Sequence, residues 1–549
     1  MNQIFDYILE NQIGTGKVQY QSTLCLFLIF FCGGYQSISF SFTLPIIKKV
    51  YNLQNNEIQI AQSLIFFSSA IVGLFNGKIS DYYGRKNTFI YSISIQFLSN
   101  FMIFFSQSFI QYTFFRLIYQ AVCGLIYPLA SCYTTEILPK STRDKYFLQI
   151  YNFFIFGELF SVIIASQTFE NLEFGNWRLL NLISSLINFF SIIYAVKYLI
   201  ESPCYLLCCT SFGNGNQVFE ILDKMGNINK GNQYKKLSSE DKNKLIQWGN
   251  KQQQQQQQNQ QKNKTIQLFQ NDYLFLTIKV LIIWFCSNFI YYGMVQMLPF
   301  IIMKQQENTT YKENIKYNQS DFSGFFIAIL SEFPSNIFVY FAIDNPFFGR
   351  KKIFFFSYFF CFFINLFLYF YNFIDFWFFI SVSICKFFIN SIFSIIYQFT
   401  SELYSNNLRA TAIGFCFFVS NFGAVQMPFV SFFLLSVSPN GPFLGFAFLA
   451  FICVLCIYII NQDTTEINQD QIVDNKELLE KQKTIIQFEL NIINTFLKIN
   501  NQQIILKISI QNIKKIYIMF ILIIIQMNNN KYINQIIYYI RINNKYSII

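Results

Sequence analysis

Gly77-Lys78-Ile79-Ser80-Asp81-Tyr82-Tyr83-Gly84-Arg85-Lys86 ends in a triplet that returns later in the chain: Gly84-Arg85-Lys86 recurs 265 residues on as Gly349-Arg350-Lys351. Further along, Thr134-Thr135-Glu136 recurs 266 residues on as Thr400-Ser401-Glu402. Glu136 stands seven residues before Arg143, and Glu402 stands seven before Arg409. Three features therefore repeat at one period, which marks a duplicated structural unit.

Hydropathy tells what is duplicated. Of the 549 residues, 53% are hydrophobic, 20% aromatic and only 13% charged. A soluble chain would carry about a quarter charged residues. Charges gather in short clusters between long apolar runs, each long enough for the roughly 20 residues that cross a bilayer as a helix. Six runs fall near 22–47, 58–79, 88–108, 112–135, 146–168 and 178–200, and six more near 273–302, 322–343, 353–373, 376–400, 410–436 and 441–461. Between the sets lies a polar stretch with a glutamine tract, Gln252 to Gln258. Low-complexity sequence of this kind predicts disorder.

The chain thus divides into an N-terminal segment 1–21, a six-helix bundle 22–200, a disordered linker 201–271, a second bundle 272–461 and a low-complexity tail 462–549. The fold class is all-α and membrane-embedded. Its twelve helices form two bundles related by a pseudo-two-fold axis along the membrane normal.

The net charge of +11 falls mostly in one set of loops and in the linker. The positive-inside rule puts that set, and both termini, in the cytoplasm. Nucleic acid is excluded as a partner because no basic surface interleaved with aromatics lies outside the spans. With no histidine and thirteen mostly isolated cysteines, no metal or other cofactor is expected. No nucleophile–base set or phosphate-cradling loop appears, so an enzyme is not expected.

The quoted loop resembles the G-x-x-x-D-x-x-G-R-K signature of the major facilitator superfamily. Gly77, with Gly73 one turn earlier, is expected to let a neighbouring helix approach closely. Asp81 can meet backbone donors or pair with a cation, Gly84 permits a tight reversal, and Arg85 and Lys86 can bridge to carboxylates nearby. Such a lock would stabilise the outward-facing state and break on opening inward. In the second half the acid ahead of Gly349 and Arg350 is Asp344, five residues away rather than three. Arg116 leads a helix into Glu136-Ile-Leu-Pro139 and Arg143, and Trp177-Arg178 precedes Glu201-Ser202-Pro203. These stretches are similar to the sugar porter and organic-ion branch. Gln120 stands where that branch usually carries glycine, Cys204 where it carries arginine, and Ser405 where a proline follows Glu402. Glu201 and Arg409 complete the lock residues that the resemblance implies. Tyr291-Tyr292-Gly293 looks more like the synaptic-vesicle-2-related branch than like the glutamine-rich span 7 of hexose porters.

Four charges lie inside spans: Arg116, Glu158, Glu332 and Lys386. Each costs roughly 2.5–3.5 kcal/mol to insert and marks function by default. Arg116 and Glu158 are expected to pair beside a cavity, where burial and a neighbouring cation act on a carboxylate in opposite directions and can tune it to carry a proton. Lys386 is the repeat counterpart of Arg116, and a cationic pair facing one cavity would favour an anionic solute. Trp284, Asn288, Tyr291 and Tyr292 are candidate cavity residues of span 7.

The resemblance implies a monomeric secondary transporter of a small organic solute, with a proton as candidate coupling ion. It would reside in the plasma membrane or a vesicle membrane. An organic ion leads, with a sugar or polyol, or a non-transporting nutrient sensor, as alternatives.

Overall fold

The computed structural model describes residues 3–209, 215–260, 267–270, 273–310, 320–342, 349–404 and 406–460. The first half comprises α1 (Lys17–Val50), α2 (Asn55–Leu74), α3 (Arg85–Phe104), α4 (Phe109–Ile137), α5 (Lys140–Thr168) and α6 (Trp177–Tyr198). The second comprises α7 (Leu274–Thr310), α8 (Ser320–Leu330 continuing as Glu332–Ala342), α9 (Gly349–Phe370), α10 (Phe376–Leu403), α11 (Asn406–Val437) and α12 (Gly441–Ile459). Eleven of these are long and apolar enough to cross a membrane. The remaining one, α3, has 20 residues, but Arg85, Lys86, Gln96 and Asn100 make it more polar.

The duplication read from the sequence is a duplication of packing. In the first half α1 packs on α5, α2 on α4, and α3 on α6. In the second half α7 packs on α11, α8 on α10, and α9 on α12, the same scheme. Small residues set the closest crossings. A Cβ built on Gly157 of α5 would lie 1.9 Å from the Phe31 carbonyl oxygen of α1. At the matching crossing, a Cβ on Gly423 of α11 would lie 2.2 Å from the Phe285 carbonyl oxygen of α7. Gly77 does not have the role expected of it: a Cβ there would meet nothing within 4 Å. Gly73 does face a neighbour, the Phe417 ring at 3.1 Å.

The fourth helix of each half starts with a side-chain cap that supplies an acceptor for an orphan backbone donor. Ser108 accepts from Gln111 N–H in α4, and Asp375 accepts from Phe378 N–H in α10. The break in α8 at Ser331 also has a local cause. Pro334 offers no N–H and its ring crowds the carbonyl four residues back, on Leu330.

The halves meet along α1–α7, α2–α11 and α5–α8. Ser41 donates to the Val295 carbonyl at 2.6 Å, Gln62 to Gln296 at 3.1 Å, and Ser63 to the Val425 carbonyl at 2.8 Å. Phe42 packs edge-on against Phe325 at 4.9 Å. These first-half residues lie nearer the α1–α2 turn than the Gly84 loop, so that end of the interface is closed.

The segment expected to lack structure contains three α-helices among its described residues: Pro203–Cys209, Gly215–Lys230 and Ser239–Gln260. Val218, Leu222 and Met225 recur at helical spacing and form one apolar face. That face packs with Phe5, Ile8, Leu9 and Ile13 of the N-terminal segment, and with Cys204. The tail 462–549 lies outside the described residues.

Candidate functional site

The crossing at Gly157 carries the next residue, Glu158, into the interface between the halves, where it is fully buried. Opposite it, the Ser331 break ends in Glu332, and Ser331 ties the break to α10 by donating to the Ser383 carbonyl at 2.7 Å. One turn beyond Ser383, Lys386 projects between the two acids. Its Nζ lies 2.7 Å from Glu332 Oε1 and 3.6 Å from Glu158 Oε2. Tyr291 of α7 donates to Glu158 Oε1 at 3.1 Å, and its ring centroid is 5.8 Å from the Lys386 ammonium. Two carboxylates and one ammonium leave a single negative charge in excess in a dehydrated place. Such a charge is costly unless it is paired or neutralised.

A polar ladder extends from this cluster. Asn390, one turn beyond Lys386, donates to the Glu332 carbonyl at 3.2 Å and to Asn336 Oδ1 at 3.0 Å. Asn336 donates across the interface to Asn152 Oδ1 at 2.7 Å. Sequence reasoning passed over these asparagines. Their signal was an amide in an apolar run, which usually finds a partner on another helix.

The expected Arg116–Glu158 pair does not form. Gly157 turns Glu158 toward the second half, while Arg116 on α4 turns toward α1. There its Nη1 bonds the Gln36 side-chain oxygen and its Nη2 donates to the Gln36 carbonyl at 3.1 Å. Lys386 is likewise no free cation, since both acids pair with it. Trp284 donates to Thr400 Oγ1 at 2.9 Å and Asn288 donates to Ser420 Oγ at 3.2 Å, so both join helices within the second half. Tyr292 does reach across, packing on Phe66 at 4.7 Å between ring centroids.

The lock is assembled at the far end from the closed contacts. After α2 a short helix, Asn76–Tyr83, runs to Gly84, whose φ of +88° reverses the chain. Arg85 then bonds Asp81 at 2.6 Å and grips Glu136 with two nitrogens, at 3.3 and 3.2 Å. Glu201 plays another part than an ion pair. Its carboxylate accepts from the backbone N–H groups of Arg85 and Lys86, at 2.9 and 3.2 Å, and so caps α3. Burial raises the Glu201 carboxyl above the usual carboxylate range, against these backbone donors, which lower it. Arg143 pairs with Asp6 of the N-terminal segment at 3.1 Å. In the second half Gly349 repeats the reversal with a φ of +61°. Asp344 and the side chains of Glu402 and Arg409 lie outside the described residues, and Arg350 opens α9.

The chain matches the sequence profile of the Major Facilitator Superfamily over residues 26–425, with a second, overlapping match over 319–529. It is 24% identical over 447 residues to the synaptic vesicle 2-related protein of Xenopus laevis, covering 76% of this chain and 74% of that protein. It is 23% identical over 418 residues to organic cation/carnitine transporter 7 of Arabidopsis thaliana, covering 71% and 80%. The solved structure of the xylose transporter XylE from E. coli, in a partially occluded inward-open conformation, matches with a TM-score of 0.64 at 15% identity. That match covers 82% of this chain and 99% of XylE, and at such identity it speaks to the fold alone. A profile match over well over half its length, on a structure with the same duplicated plan, makes this chain a multi-pass membrane protein of the Major Facilitator Superfamily.

Proposed function

We propose that this protein is a proton-coupled secondary transporter of a small organic ion, working by alternating access between its two halves. The observation that carries the reading is the buried Glu158–Lys386–Glu332 cluster, which straddles the halves with one negative charge in excess. One proton makes it neutral. Rocking the halves apart would separate Glu158 from Lys386, so the proton's presence and the conformational change are linked. The Arg85–Asp81–Glu136 lock is tight at the end opposite the closed contacts, and its release belongs to the same cycle. An organic ion is favoured because a relative bears the name of an organic cation/carnitine transporter. The protein acts as a monomer in the plasma membrane or a vesicle membrane, with both termini in the cytoplasm.

The test is uptake by proteoliposomes across an imposed pH gradient, with organic cations, organic anions and hexoses as solutes. Wild type accumulates an organic ion faster when the gradient drives protons with it, and Glu158→Gln makes uptake insensitive to the gradient. Unchanged pH dependence in that variant removes Glu158 from coupling. Uptake of hexoses alone points to a sugar porter, and no flux for any solute points to a sensor.

A further inference from the structure

We infer that Arg116 and its surroundings form a binding site for a carboxylate on the transported solute. The inference rests on the transport reading and names the substrate class.

Arg116 is 2% exposed and makes no ion pair among the described residues. A guanidinium presents five N–H donors in a fixed fork. Here one residue, Gln36, accepts from it, through its side-chain and main-chain oxygens. Arg116 Nε is buried without an acceptor. Two polar atoms of α1 are also unpartnered: Gln36 Nε2 and, one turn along, Ser39 Oγ. Gln36, Ser39 and Tyr119 are each no more than 1% exposed. Arg116 Nε and Gln36 Nε2 are therefore donors without acceptors beside an uncompensated positive charge, both of which are expensive in a dehydrated place. A carboxylate supplies what is missing: a negative charge and two oxygens that match the guanidinium fork. The surroundings bear on what the rest of the solute can be. The Phe40 ring centroid lies 4.4 Å and the Tyr119 ring centroid 5.0 Å from the guanidinium carbon, so the body of a bound acid would meet aromatic rings, which favours an apolar or aromatic one. Lys386 is a cation on the corresponding helix of the second half, but Glu332 and Glu158 already neutralise it. The anion site therefore lies in the first half alone.

The experiment follows thermal unfolding of the purified full-length protein in detergent at constant ionic strength. Acetate and benzoate are each compared with their neutral amides, acetamide and benzamide. Benzoate raises the melting temperature in proportion to its occupancy, and benzamide does not. Arg116→Gln abolishes the shift. Gln36→Glu, which provides an internal carboxylate, weakens benzoate binding at least tenfold, and it keeps the test decisive if Arg116→Gln fails to fold. Amides that bind as well as acids, no shift with either acid, or full benzoate binding by both variants would overturn the site. The two readings separate cleanly. Proton-driven uptake of cations or sugars without carboxylate binding overturns this site alone. Carboxylate binding without any flux overturns the transport reading alone.

Discussion

Arg116 on α4 and Lys386 on α10 lie on corresponding helices of the two halves, both almost fully buried, yet their surroundings are opposite. Lys386 meets two carboxylates, one from its own half and one from across the interface. Arg116 meets one glutamine and two aromatic rings. Both halves carry a cation on the fourth helix, one turn apart in the repeat register, and the neighbours of the two differ. A buried charge that owns its counter-ions is part of the architecture, and it takes part in transport only when that pairing is opened. A buried charge without one is ready for a ligand. In the proposed reading the cluster shared by the two halves would carry the proton, and the surroundings of Arg116 in the first half would meet the solute.

The largest effect is expected from Lys386→Met. Removing the shared ammonium strands two carboxylates together and costs about 3–5 kcal/mol. Unfolding in detergent would measure this, and the double variant Lys386→Met/Glu332→Gln should recover more than half of the loss. Arg116→Met should cost less, about 1–2 kcal/mol, because it leaves an amide oxygen without its donor but no stranded charge. Equal losses for the two single variants would erase the contrast. The smallest effect belongs to Gln36→Glu, which gives Arg116 the counter-ion that Lys386 already has. It should raise stability by about 1 kcal/mol, since an ion pair replaces a hydrogen bond from the guanidinium to a neutral amide. A destabilised Gln36→Glu protein would mean that Arg116 is balanced by some other group.

Much of the architecture was legible in the chain. Twelve apolar runs, the recurring Gly-Arg-Lys triplet and the repeated Glu-to-Arg spacing led to two matching bundles, because spans need length and duplicates keep their period. A cation for Asp81 was expected from the motif, and Arg85, just past the Gly84 reversal, supplies it. Glu201 was picked out as a lock residue, but its work as a cap on α3 was hidden, for that depends on a chain reversal 116 residues away. The helical linker was misread because the glutamine tract dominates its composition. Val218, Leu222 and Met225 needed the apolar face of the N-terminal segment before they could count as a core.

The same division holds at the site. Sequence alone determined that Arg116, Glu158, Glu332 and Lys386 lie inside spans, since hydropathy and helix length are local properties. Which of them meet was decided by tertiary structure alone. Gly157 lets α5 press against α1 and turns Glu158 to the far half, Pro334 breaks α8 beside Lys386, and Arg116 is left facing Gln36. Partnership among buried charges depends on helix rotation and crossing distance, and both are set by packing among residues far apart in the chain.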